Sequence, residues 1–124
     1  MKSILALVAF FSASLSASPI EFTPPSVTVS VVNDITGYSA QATVPADGTV
    51  FTVPDLFRNS SIDERGQILA TSAQLIQFVE DVFCSFNRDT TVVPLNPTTT
   101  FTILNAEDVT SPALLNHVTF QCHV

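Results

Sequence analysis

Hydrophobic and polar residues alternate along much of this chain with a period of two. "VTVSVV" (Val27–Val32), "YSAQATV" (Tyr38–Val44) and "TVFTV" (Thr49–Val53) are runs of β-branched and small residues, separated by "NDITG" and "PADG". Turn residues set between β-branched runs are the signature of β-hairpins. Asp47-Gly48 is the firmest turn of the chain, because an Asp-Gly pair accepts positive φ at little steric cost. Further runs come at "TTVV" (Thr90–Val93), "TTTFTIL" (Thr98–Leu104) and "NHVTFQCHV" (Asn116–Val124), with Pro94 and Pro97 dividing the first two. In the last run Val118, Phe120, Cys122 and Val124 face one way, and His117, Thr119, Gln121 and His123 the other, as a half-buried strand requires. "PDLFRNSSIDERG" reads as a polar connection, and "NAEDVTSPALL" as a loop with at most one helical turn. Fifteen threonines and fifteen valines favour strands throughout. The predicted fold is all-β: a compact antiparallel β-sandwich or open barrel of about seven strands.

The stretch "QILATSAQLIQFVEDVFCSF" (Gln67–Phe86) fits two periods. As a helix it gathers Leu75, Ile76, Val79, Val82, Phe83 and Phe86 on one face. As two strands meeting at a turn at Glu80-Asp81, it places Ile76, Phe78, Val82, Cys84 and Phe86 together. The Phe and Val content, and a partner cysteine set in a clean strand pattern, favour two strands. A short helix near residues 72–82 is the alternative.

The chain opens with Lys2, a short apolar core Ile4–Phe11 and a small-residue run Ser12–Ser18. This order is that of a secretory signal, and the core is too short to span a bilayer. The expected organisation is a signal peptide over residues 1–17, a lead-in over 18–26 stiffened by Pro24-Pro25, and one β domain over 27–124. Cleavage falls after Ser16, Ala17 or Ser18. Removing the signal removes Lys2, the only lysine, and leaves three arginines against eleven acidic residues, a net charge of −8. Three scattered cations are too few to neutralise a run of phosphates, which excludes nucleic acid as a partner. The same balance argues against an anionic membrane surface.

Export makes pairing of the only two cysteines, Cys84 and Cys122, the expectation. Both point to the apolar side if Val82–Phe86 is a strand. The bond is structural, since there is no C-x-x-C motif and no lysine to lower a thiol pKa. Asn59-Ser60-Ser61 is an N-glycosylation sequon, whereas Asn96 is followed by Pro97 and is not usable. Asp47, Asp55, the Asp63-Glu64 pair and Asp89 are candidate Ca²⁺ ligands, but they lack the alternating spacing of a calcium loop. His117 and His123 lie about 20 Å apart along a strand, too far to share one ion. Glu80-Asp81 and Glu107-Asp108 are adjacent carboxylates, which on a strand point to opposite faces and cannot flank one glycosidic bond. No hydrolytic motif is present. No catalytic residue, cofactor or metal is therefore assigned.

The stretches "NDITGYSAQATVPADG" and "ILATSAQLIQF", then a cysteine and "LN", resemble a group of small secreted proteins of filamentous fungi. That group shows a similar N-D-x-(S/T)-G, V-P-x-D-G and A-T-S-A-Q-L order, matched here between Val27 and Leu104. The resemblance implies a shared fold and, resting on turn and strand residues, implies no catalytic positions. The expected function is that of a secreted, acidic, non-catalytic interaction module, effector-like or wall-associated. Its partner would be an extracellular protein or a component of the cell wall or host surface. A carbohydrate-binding or small hydrolytic domain with an unfamiliar site is the alternative. The single tyrosine, Tyr38, and the absence of tryptophan offer little aromatic platform for a sugar ring.

Overall fold

The computed structural model describes residues 23–108 and 110–124; the expected signal segment and the first residues of the lead-in lie outside the described residues. Eleven strands and one short helix are present among the described residues. They are β1 (Ser26–Asn33), β2 (Tyr38–Pro45), β3 (Phe51–Thr52), α1 (Val53–Phe57), β4 (Asp63–Glu64), β5 (Gln67–Ala70), β6 (Ser72–Gln77), β7 (Phe83–Arg88), β8 (Thr91–Leu95), β9 (Phe101–Ile103), β10 (Ala113–Leu114) and β11 (Thr119–His123). Seven strands have four or more residues, the number the sequence leads one to expect; the others are two- or three-residue pairings. The fold is all-β and sandwich-like, with every strand pair antiparallel. Three sheets run in the orders β9-β6-β1-β2, β10-β5-β4 and β3-β11-β7-β8.

The β1–β2 hairpin forms where its alternation predicts, in register from Ser26↔Pro45 to Asn33↔Tyr38. Val27, Val29 and Val31 are fully buried, while Thr28, Ser30 and Val32 between them face outward. Burying each such valine contributes about 1.5–3 kcal/mol. Asn33 closes the turn: its Oδ1 accepts the Ile35 N–H at 3.0 Å and its carbonyl accepts the Gly37 N–H at 2.8 Å.

Asp47-Gly48 does turn the chain, with Gly48 at φ +86°, but it does not close the expected hairpin. The Gly48 N–H donates to the Cys122 carbonyl at 2.8 Å, and β3 pairs with β11 rather than with β2. The turn is a corner that carries the chain from the first sheet to the third. Just beyond, the stretch read as a polar connection contains α1. Thr52 Oγ1 accepts the Asp55 N–H at the helix start and Pro54 sits in its first turn, a standard helix opening. Val53 and Phe57, four residues apart, are both buried. Five residues are too few for periodicity to reveal a helix.

The Gln67–Phe86 stretch holds three strands, β5, β6 and the start of β7, and no helix over 72–82. Thr71 divides the first two, its N–H donating to Val32 O at 2.7 Å and its carbonyl accepting the Leu104 N–H at 2.9 Å. β6 is paired on both sides, by β1 and β9, so its backbone groups are satisfied as a strand whatever its helical spacing. The expected apolar face is partly overturned. Leu75 is buried at 2% exposure while Ile76 is 48% exposed. Ala73 and Leu75 lie opposite the buried Val31 and Val29, so Ile76 faces out by alternation. The register shift after it sets Gln77 opposite Thr28, and an extra residue reverses the sidedness of later positions, so Phe78 packs toward the core while Ile76 does not. The turn at Glu80-Asp81 is present, and beyond it Val82, Cys84 and Phe86 point inward as expected.

β4 and β5 form a two-residue hairpin, with Arg65 at φ +57° and Gly66 at φ +90°. Positive φ at both central residues is the turn whose twist matches its strands. Asn116 clamps this hairpin from 50 residues away, donating to Gly66 O at 2.7 Å and accepting the Ile68 N–H at 2.9 Å. One hydrophobic core joins the three sheets and α1. At its centre the Phe86 and Phe120 rings, opposite each other on β7 and β11, lie 4.6 Å apart.

Candidate functional site

The two cysteines meet as predicted. Cys84 and Cys122 are directly opposite on β7 and β11, bonded, and fully buried. Because the Cys122 carbonyl is turned toward Gly48, the pair occupies a position without mutual backbone hydrogen bonds. There the two chains come closest, and the Cα atoms are 4.1 Å apart. Enclosed in the core, the bond holds the third sheet together and presents no reactive surface.

The remaining candidates are dispersed. Asn59 is in the exposed turn after α1, at φ +64°, and its N–H donates to Asp63 Oδ2 at 2.8 Å. Asp55 pairs with Arg58 at 2.5 Å, both side chains being well exposed, a pairing of small energetic weight. Asp47 and Asp108 repeat one local device. Each accepts the hydroxyl of the threonine two residues on at 2.6 Å and that residue's N–H at 3.0 and 3.1 Å. These bonds, the hydroxyl first, hold both carboxyls below the ordinary value of 3.8. The Asp63 carboxyl is also lowered, by the Asn59 N–H and then the Gly66 N–H. The carboxylates thus serve as turn clasps. Glu80, Asp81, Glu107, Asp108 and Asp89 lie in exposed loops. His117 and His123 are exposed as expected, and His123 packs on Phe83 with centroids 5.5 Å apart. Among the described residues no three His, Cys, Asp or Glu side chains converge on a point that could hold a metal ion.

Two concavities are lined by described residues. A cavity of about 30 Å³ lies between Phe86, Arg88, Val93, Leu104, Leu115 and Val118, well under the roughly 300 Å³ at which ligand pockets begin. A broader groove of about 440 Å³ runs between Thr23–Pro25, Ala46-Asp47 and Val124. Its single ionisable side chain, Asp47, is already engaged by Thr49.

A larger candidate surface is the outward face of the first sheet. The registers place Gln41, Ser30, Gln74 and Phe101 in one row across four strands, and Ser39, Val32, Ser72 and Ile103 in the next. Thr28 and Thr43 begin a third row, their hydroxyls 2.9 Å apart. Not one of the four strands contains an Asp, Glu, Lys or Arg, in a chain whose formal net charge is −7. Phe101 and Ile76 are about half exposed along this face. It is a neutral surface on which Ser39, Gln41, Thr43 and Gln74 are exposed, bordered by apolar side chains, while Ser72 is buried. The sequence signal for it was the missing charge across residues 26–33, 38–45 and 72–77; the first two adjoin as the expected hairpin, but only the registers show that 72–77 and 101–103 join them.

The molecule so defined is a disulfide-stapled, acidic all-β domain whose first sheet presents a charge-free outward face. Compared with family models, with curated proteins and with solved structures, the chain matches none. No helix among the described residues is long and apolar enough to cross a membrane.

Proposed function

We propose that this chain acts outside the cell as a non-catalytic interaction module, and that the charge-free face of the β9-β6-β1-β2 sheet is its contact surface. The carrying observation is the segregation of charge: every acidic side chain is kept off the four strands that build this face. Interface centres are depleted in charged residues because desolvating a charge costs far more than desolvating a hydroxyl or amide. The buried disulfide suits a domain that persists in an oxidising compartment. The partner classes are an extracellular protein and a component of the cell wall or host surface. Phe101, exposed at the end of the Gln41–Ser30–Gln74 row, favours a second reading in which the bound surface is a neutral polysaccharide.

The test introduces charge at the centre of the face. Ser30→Lys combined with Gln74→Lys is expected to leave the far-UV circular dichroism unchanged and to abolish binding to extracellular protein arrays or wall polysaccharide. A glycan array separates the two partner classes. A single carboxylate or histidine substitution that abolished turnover of a defined substrate would overturn the non-catalytic reading.

A further inference from the structure

We infer that the outer edge of β2, which pairs with no strand among the described residues, is a self-association site, where two copies of this chain join their first sheets in one continuous antiparallel ladder. β2 is the last strand of its sheet. Val32, opposite Ser39, turns its carbonyl toward the Thr71 N–H and away from β2. Ser39 therefore directs its own N–H and C=O to the open side, and by alternation so do Gln41 and Thr43. Ser61 Oγ donates to the Ser39 carbonyl, which keeps a second lone pair free.

Exposed strand edges are normally blunted, and the other sheet edges among the described residues are, whereas β2 is capped at the Ser39 carbonyl, by Ser61. β9 has three residues, β10 has two, β3 has two and runs into Pro54, β4 is Asp63-Glu64, and β8 contains Pro94. Of the edge strands β2 alone is eight residues long, without a charge, a bulge or an internal proline, and its Pro45 falls at the final position.

The occupant is a second copy because β2 is complementary to itself. With Gln41 on a twofold axis, Gln41 faces Gln41, Ser39 faces Thr43, and Tyr38 faces Val44. Each outward N–H then meets an outward carbonyl, and Pro45 lies just outside the ladder. On the inner side Ala40, half-buried beside the core, faces Ala42 of the other copy, so small side chains meet at the seam. No like charges oppose each other within the ladder, so the repulsion between two acidic copies is long-range and falls as salt rises.

The experiment is sedimentation equilibrium on the secreted protein carrying Asn59→Gln, so that no glycan near Ser61 stands before the edge. Loading runs from about 1 µM to about 1 mM, the range of weak strand-edge pairing. The expected result is a monomer–dimer equilibrium that tightens with added salt. At the higher loading the amides of Ser39, Gln41 and Thr43 should gain hydrogen-exchange protection. Gln41→Lys, which sets two ammonium groups opposite each other, should raise the dissociation constant about tenfold or more. Gln74→Lys, on the same face but two strands inward, should leave it unchanged. A monomer at every concentration overturns the inference. So does a dimer indifferent to Gln41→Lys, or protection at β2 that requires an added peptide from another protein.

Discussion

Reducing the Cys84–Cys122 bond is expected to remove a large share of this domain's stability without changing its native structure. The bond spans 38 residues, and in the chain-entropy account opening such a loop releases about 3.9 kcal/mol of denatured-state freedom at 25 °C. The folded side of the balance changes little, since both sulfurs are fully buried and a buried thiol packs as a small hydrophobe. Domains of this size are stable by about 5–15 kcal/mol in total. Urea denaturation followed by far-UV circular dichroism, with and without a phosphine reductant, measures the loss. At about 1–2 kcal/mol per molar urea, the midpoint should fall by about 2–4 M. The bond should also resist dilute dithiothreitol in native buffer, with reduction proceeding only as fast as the third sheet opens. A midpoint shift below about 0.5 M would refute the argument that loop closure dominates. Rapid native-state reduction with the dichroism unchanged would refute the burial argument.

Phe120→Ala should cost about 3–5 kcal/mol, because it removes a fully buried ring stacked on Phe86 at the centre of the core; chemical denaturation reads it. Gly66→Ala should cost about 1–2 kcal/mol through its φ of +90° alone, as nothing lies close enough to clash, and a comparable loss of thermal midpoint checks it. Asp47, Asp63 and Asp108 have folded-state pKa values below 3.8, so the stability their clasps contribute is present above that value and is lost as pH falls through the depressed ones. Asp63→Asn should therefore destabilise at neutral pH, and its difference from wild type should shrink below pH 4; an NMR titration placing Asp63 above 3.8 would contradict this. Occupancy of the Asn59 sequon should appear as a mass increment on the secreted chain that Asn59→Gln abolishes.

Local chemistry alone determined much of the fold. Alternation over Val27–Val32 and Tyr38–Val44 specifies a hairpin because a one-residue slip would expose Val27, Val29 and Val31. The parity of Val118, Phe120 and Cys122 specifies which side of β11 is buried, and with Cys84 it specifies the disulfide. Features that depend on distant partners could not be read this way. Leu75 rather than Ile76 turns inward because Ala73 and Leu75 lie opposite the buried Val31 and Val29, and that pairing is with a segment more than 40 residues away. Asp47-Gly48 is a turn by its own chemistry, but whether it closes a hairpin or rounds a corner was settled by the Cys122 carbonyl, 74 residues further on. Thr71 divides two strands only because Val32 and Leu104 reach it from other parts of the chain. The neutral sheet face has the same origin: each strand shows its lack of charge, but the pairing of Ser26–Asn33 with Ser72–Gln77, up to 49 residues apart, and of Ser72–Gln77 with Phe101–Ile103 makes one surface of them.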